Sequence, residues 1–364
     1  MAVRVPAILD EVLERNPDYA PAIREAVSEL RDALIADRQL SALRAGLPDA
    51  DAWQAALAER AGHSWLGTDW FFAETYAYRQ LIERVDFWST ARDPFISYKN
   101  EEYASAAHAA ALDHALGLSG DTAERLNALF GAALWGNRID LSFAAARVRG
   151  MVADSEDLLC DDREAAVRVA LSGQGPVHVI ADNAGTELTM DLALSDFVLN
   201  QLEARVALHV KVHPTFVSDA TERDVRRFLE TSPGAAAGAC LGRLGAALSA
   251  GTLEILPHPF WNSPLSLWEM PEDLKALFGS ARLVVLKGDA NYRRALGDAI
   301  WPAETPFADA VSYFPAPLLA LRTLKSDPIV GLSAGKADEL DAHDPSWRVN
   351  GKRGVASLGG LGRP

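Results

Sequence analysis

Four short segments of this 364-residue chain end apolar, β-branched runs in residues able to do chemistry. The first is Asp182-Asn183. The second reaches Asp219 through Lys211 and His213. The third is Lys287-Gly288-Asp289-Ala290-Asn291-Tyr292-Arg293, and the fourth is Arg322-Thr323-Leu324-Lys325. Asp182, Asn183 and Asp219 offer hard oxygen donors and no thiolate, which suits Mg²⁺ or Mn²⁺ better than a structural zinc. Lys325, Arg322 and Arg293 offer positive charge apt for the outer oxygens of a phosphate. Asp289 reads as a general base or as an acceptor for a ribose or sugar hydroxyl. Gly185 and Gly288 permit close backbone approach. A divalent ion beside a lysine and arginines is a phosphoryl-transfer arrangement, because both kinds of cation stabilise charge on phosphoryl oxygens.

Three of the four segments also have a plainer reading. Asp182-Asn183-Ala184-Gly185 has good turn chemistry. Arg322 and Lys325 suit a solvated strand end, and Asp219 suits the N-cap of a helix over 221–230. His213, before Pro214, reads as a general acid, a ligand or a structural histidine, and His258 reads as a loop residue between two prolines. The coincidence of all four segments at strand ends favours a site. Asp182 and Asp219 are expected at strand ends outside the core, where the fold tolerates their loss.

The elements that must position these residues follow from the pattern. The runs Val177–Ile180, Val206–Val212, Thr252–Leu256, Leu283–Leu286 and Leu318–Leu321 alternate with helical stretches, which predicts βαβ units. In open α/β sheets ligands sit at the carboxyl ends of the strands, so parallel strands bring the four segments to one edge. Leu188 to Leu202 has helical spacing, so the first segment reads as strand, tight turn, helix. Residues from about Ala7 to Glu156 read as helical. Pro21 stands near one helix start, alanine-rich Ala104–Leu116 favours helix, and Asp121 is a plausible N-cap. The aromatics Trp65, Trp70, Phe71, Phe72, Tyr76 and Tyr78 read as helical core. The organisation expected is a helical domain over 1–170, a metal- and phosphate-binding α/β domain over 171–340, and a disordered tail over 341–364.

Composition bounds the partners. The chain is 49% hydrophobic and 23% charged, which is ordinary globular composition. No uncharged apolar run reaches the roughly 18 residues of a membrane span. The N-terminus lacks a basic region followed by an apolar core, so no secretory signal is expected. Two distant cysteines, Cys160 and Cys240, favour a reduced cytoplasmic protein. The net charge of −15 argues against nucleic acid and anionic membrane as partners, while a local cationic cluster still admits an anionic small molecule. There is no glycine-rich phosphate loop of the Walker or dinucleotide type and no Gly-x-Ser-x-Gly elbow.

Taken in order, Gly136-Asn137-Arg138-Ile139-Asp140-Leu141-Ser142, Asp182-Asn183-Ala184-Gly185-Thr186-Glu187, the Lys287–Arg293 segment and Arg322-Thr323-Leu324-Lys325 resemble the metal-dependent damage-control phosphatases, the family long labelled domain of unknown function 89. The Arg-Thr-x-Lys ending resembles the subfamily that includes the acidic-residue methyltransferase 1 proteins. The resemblance spans roughly residues 5–335. It implies an α/β fold in which a helical N-terminal part packs on a Rossmann-like three-layer α/β/α domain with a mostly parallel sheet. It implies a divalent metal (Mn²⁺, Co²⁺, Ni²⁺ or Mg²⁺) at Asp182, Asn183 and Asp219, with Asp182, Asp219 and Lys325 taken as catalytic. Substrate phosphate or sugar is expected on Asp289, Asn291, Tyr292, Arg293, Arg322 and Lys325, with Asn137 and Asp140 as further substrate-binding candidates. The implied activity is hydrolysis of small phosphometabolites such as fructose 1-phosphate or fructose 6-phosphate. The subfamily also implies a rival, carboxyl methylation of protein glutamate with S-adenosylmethionine. Ala290 departs from the family pattern, in which a leucine or similar residue is expected.

The function expected is a metal-dependent phosphatase in which water attacks phosphorus without a covalent intermediate. A methyltransferase is disfavoured by the lack of a glycine-rich strand–turn–helix of the methyl-donor type. A sugar-phosphate-binding protein without turnover is the other alternative.

Overall fold

The computed structural model describes residues 1–136, 157–230 and 235–360. The chain divides into two units. The first comprises 1–101, 211–221 and 257–265, and the second comprises 102–210, 222–256 and 266–364. This differs from a single boundary near residue 170, since the segments after two strands belong to the helical unit.

The first unit contains α1 (Arg4–Arg15), α2 (Pro21–Ile35), α3 (Ala50–Ala58), α4 (Trp70–Arg84), α5 (Phe87–Thr90) and most of α6 (Ile96–Tyr103). Pro21 opens α2, where its missing N–H costs nothing, and Asp69 caps α4 by accepting from Phe72 N at 3.0 Å. The expected aromatic core forms here. Trp65, Phe72, Tyr76 and Tyr78 are buried together, and Phe216 and Val217 from the 211–221 segment pack against them. Trp70 is instead exposed on α4.

The second unit is an α/β assembly. Its elements are α7 (Ala106–Leu116), α8 (Thr122–Trp135), β1 (Leu158–Asp161), α9 (Arg163–Ser172), β2 (Val177–Ile180), α10 (Thr186–Gln201), β3 (Val206–Val210), α11 (Glu222–Glu230), α12 (Ala235–Ala250), β4 (Leu253–Pro257), α13 (Glu272–Phe278), β5 (Leu283–Lys287), α14 (Asp289–Leu296), α15 (Phe307–Ala310), β6 (Leu318–Thr323), α16 (Lys336–His343) and β7 (Gly354–Gly359). Asp121 caps α8 as expected, in a capping box with Glu124. The strands form one sheet in the order β1-β7-β6-β5-β2-β3-β4. β2 pairs in parallel with both β3 and β5, and β5 pairs in parallel with β6. β2, β3, β5 and β6 are buried along their whole length, as largely apolar runs covered on both faces demand. From β2 the chain steps to β3 on one side and later returns to β5 on the other. The β2/β5 boundary is therefore the switch point where an open α/β sheet forms its crevice.

Two elements depart from the expected tail and helical region. β7 lies antiparallel to β6 and parallel to β1, so residues 354–359 of the expected tail are an ordered strand. Its small residues are packing residues: a Cβ on Gly354 would stand 2.6 Å from the Trp135 ring. β1 has no counterpart among the expected runs. In the sheet interior, His178 on β2 and His209 on β3 approach at 2.9 Å between Nδ1 and Nε2, and Phe278 packs on both rings. Burial pushes the His178 pKa down to about 4. Among the described residues no helix is long and apolar enough to cross a membrane.

Candidate active site

The site in the second unit is built on the carboxyl ends of β2, β5 and β6. Past β2, Asp182 is only 7% exposed, and Asn183 is half-buried beside it. Asn183 Nδ2 donates to Asp182 Oδ2 and to Glu187 Oε2, each at 2.9 Å. The amide nitrogen is thus spent on two carboxylates, and a cation would meet the amide through Oδ1. Two glycines make room for acids here. Gly288, after β5, has φ +82°, and a Cβ on it would stand 1.9 Å from Asp182 Oδ2. Gly185 has φ +70°, and a Cβ on it would stand 2.1 Å from the Glu102 carboxyl carbon. Glu102 Oε1 accepts from Thr186 N at 2.7 Å and so satisfies a backbone donor at the start of α10.

Beneath this edge lies an ion cluster that the sequence reading missed. Lys287, fully buried at the end of β5, reaches Glu187 Oε1 at 2.8 Å and Asp191 Oδ1 at 3.1 Å, both on α10. Burial alone would lower the lysine pKa, but Asp191 and Glu187 outweigh it and hold it above the usual value. Burial and the neighbouring Glu187 push Asp191 up to about 7, against the pull of Lys287. The i, i+4 spacing of Glu187 and Asp191 on one helix face was the available signal.

The β5 and β6 ends are tied together through Asp289. Arg322 Nε donates to Asp289 Oδ1 at 2.7 Å, and Lys325 N donates to the same oxygen at 3.1 Å. Burial would raise the Asp289 pKa, but Arg322, the Lys325 amide and Ser326 hold it below the ordinary carboxylate value. Arg322 is wholly buried and lies 4.3 Å over the Tyr292 ring. Its remaining nitrogens donate to the carbonyls of Ser326 and Pro328. These bonds make Arg322 a buttress of the loop, not a cation offered to phosphate. Asn291 donates to Ala181 O at 3.2 Å and Lys287 O at 2.9 Å, and Tyr292 OH accepts from Val330 N at 3.3 Å. Both side chains are buried and hold α14 against the strand ends. Arg293 forms a two-bond pair with Asp298, at 2.6 and 2.9 Å. Lys325 differs from the other cations: its side chain is exposed, and among the described residues its ammonium has no hydrogen bond or ion pair.

Asp219 belongs to the first unit. It is 2% exposed, with Oδ2 3.2 Å from Lys211 Nζ, and its carbonyl accepts from Lys99 Nζ at 3.1 Å. Asp182 and Asp219 are therefore both buried, contrary to the expectation that they lie outside the core. Removing the Asp219 carboxylate would strip a buried lysine of a partner. His213 is also buried in that unit. Its Nε2 lies 3.6 Å from Asp49 Oδ2, and Asp49 is itself held by Arg79 at 2.6 and 2.7 Å. Burial lowers the His213 pKa despite that acid. His258 Nδ1 accepts from Phe260 N at 3.1 Å, a loop role as expected. Asn137 and Asp140 lie outside the described residues.

Among the described residues no three histidine, cysteine, aspartate or glutamate side chains converge at ligand spacing. Asp182, Asn183 and Glu187 form an all-oxygen set, with Gly288 leaving space beside it. That donor chemistry fits a hard divalent cation.

Residues 1–340 match the family model described as the damage-control phosphatase ARMT1-like domain. The curated protein named damage-control phosphatase ARMT1 from Danio rerio is 31% identical over 417 residues, covering 98% of this chain and 92% of that protein. The protein of that name from Homo sapiens is 30% identical over 418 residues, covering 98% and 94%. A crystal structure of a DUF89 family protein from Pyrococcus horikoshii superposes with a TM-score of 0.52 at 15% identity, covering 98% of both chains. That last likeness is one of fold.

Proposed function

The chain belongs to the ARMT1-like damage-control phosphatase family, and from that premise we propose that it hydrolyses small phosphorylated metabolites, sugar phosphates among them, with the help of a divalent cation. The observation that carries the reading is the content of the switch-point crevice. An oxygen-donor pair, Asp182-Asn183, stands at the end of β2. Lys325, whose backbone is fixed to Asp289 and whose ammonium has no protein partner among the described residues, follows β6 on the same sheet edge.

In this proposal Asp182 and Asn183 hold the cation. A divalent cation held there would supply Lewis-acid polarisation of phosphoryl oxygens and would lower the pKa of a nearby water. The chain's own residues do the rest. Asn183 is oriented by its bonds to Asp182 and Glu187, so its carbonyl is set before a cation arrives. Lys287 offsets the charge of Glu187 and Asp191 and keeps α10 against β5. Arg322 keeps Asp289 ionised and aimed, as an acceptor for a sugar hydroxyl needs. Lys325 supplies the positive charge that a phosphate dianion requires beyond an ion already offset by carboxylates.

The test is phosphate release from a panel of phosphometabolites, run beside methyl transfer from S-adenosylmethionine to protein glutamate. Phosphate release is expected from at least the hexose and pentose phosphates, with no methyl transfer. Methyl transfer without phosphate release would overturn the proposal, and saturable sugar-phosphate binding without turnover would replace it with a binding role.

A further inference from the structure

A cavity of about 640 Å³ opens at the end of α10 remote from the acids. It is lined by the Ala193–Gln201 half of that helix together with α7, α8 and α12. Phe197 lies ten residues beyond Glu187, which is about 15 Å along a helix axis. The cavity is thus separate from the strand-end crevice, and a ligand bound there would be independent of the phosphatase reading.

The walls are mixed: Leu116, Leu118, Leu129 and Phe197 stand beside Asp196, Asn200 and Gln201. Two arginines enter this setting. Arg243 is matched within the cavity, since it grips Asp196 through two bonds at 2.8 and 2.5 Å. Arg125 is not matched. Its guanidinium lies 4.9 Å over the Phe197 ring, its Nε is buried without a hydrogen-bond partner, and among the described residues it has no ion pair. A buried N–H left without an acceptor is costly, so this donor is placed for something the chain itself does not supply. A concave chamber of several hundred Å³ that sets a few polar groups among apolar side chains is the usual form of a small-molecule site.

We propose that this cavity is a second ligand site, for a small carboxylate carried on an apolar body. One unmatched guanidinium balances one negative charge, and its fork of donors fits a carboxylate. A phosphate dianion would call for a second cation, and Asp196 already occupies Arg243. The leucines and Phe197 would take the hydrocarbon part.

The experiment is calorimetric titration of the full chain with octanoate, octan-1-ol and octyl phosphate. It is repeated on Arg125→Met and on Ala239→Trp, which places bulk on an exposed lining position. Melting curves establish that each variant is folded, and phosphate release without octanoate should be unchanged in both. Saturable octanoate binding is expected, weakened roughly tenfold or more in Arg125→Met and by replacing the carboxylate with the alcohol, as loss of a charge-assisted bond predicts. Ala239→Trp should weaken all binding. No saturation by about 10 mM octanoate, the weak limit of specific binding, would overturn the proposal. So would octan-1-ol or octyl phosphate binding as tightly as octanoate, or an unchanged affinity in either folded variant.

Discussion

Gly288→Ala is the sharpest perturbation of the strand-end crevice. At φ +82° and ψ 174° the backbone of Gly288 occupies a region nearly closed to other residues, which alone costs about 1–3 kcal/mol. The added methyl carbon would also stand 1.9 Å from Asp182 Oδ2, 2.1 Å from its Cγ and 2.6 Å from its Cβ. Ordinary contact begins near 3.4 Å, so the carboxylate must retreat by about 1.5 Å, and a misplacement of about 1 Å near reacting groups can cost 100-fold. The expected result is a fall in kcat/KM of about 100-fold or more, with a protein that still folds. Gly335→Ala is the control: its φ is +74°, and nothing stands within 4 Å of the added atom, so it carries backbone strain without the clash. Both variants are assayed for phosphate release and for melting temperature. Gly288→Ala activity within about twofold of Gly335→Ala would refute the placement of Asp182 at the reacting centre, since the clash alone should cost far more.

Three further outcomes are expected. Lys325→Met should lower kcat/KM roughly 10- to 150-fold, the worth of one charge-assisted bond, without lowering the melting temperature, because the side chain is exposed; steady-state kinetics with bound metal quantified checks this. Lys287→Met should cost about 3–5 kcal/mol in urea unfolding, since it strands two buried carboxylates, and adding Asp191→Asn should recover part of the loss. His178 stays neutral in the folded chain down to a pKa of about 4, whereas the unfolded chain takes up a proton below about 6.5. Its contribution to stability is therefore complete above pH 6.5 and is lost as pH falls toward 4, by about 3 kcal/mol in all. Urea unfolding at pH 7 and 4.5 should show a steeper loss in the natural chain than in His178→Leu.

The legible parts of this fold were those where burial leaves a compositional trace. β2 and β5 are buried along their whole length and read as short runs rich in apolar, β-branched residues, so their ends and the acids after them could be placed from sequence. β7 was not legible for the opposite reason. Gly354 and Gly359 pack against Trp135, Val311 and Phe307, where side chains would clash, and such a glycine-rich stretch carries the same letters as a loose tail. At the site, residue types were legible and their commitments were not. Arg322 reads as a phosphate cation in sequence, but its nitrogens are consumed by Asp289, Ser326 and Pro328. Asp191 stands one helical turn after Glu187, but that local spacing does not name Lys287, at the end of β5, as the partner against which it is wholly buried.

Phosphate release should depend on a divalent cation held at Asp182 and Asn183. The direct measurement is turnover and metal content, by elemental analysis, of the same preparation before chelation, after exhaustive chelation, and after return of Mn²⁺, Co²⁺, Ni²⁺ or Mg²⁺, with Asp182→Asn alongside. Activity should disappear with the metal and return with at least one of these ions, and Asp182→Asn should lack both stoichiometric metal and activity. Full turnover by protein shown to be metal-free, or near-normal metal and turnover in Asp182→Asn, would contradict the metal assignment.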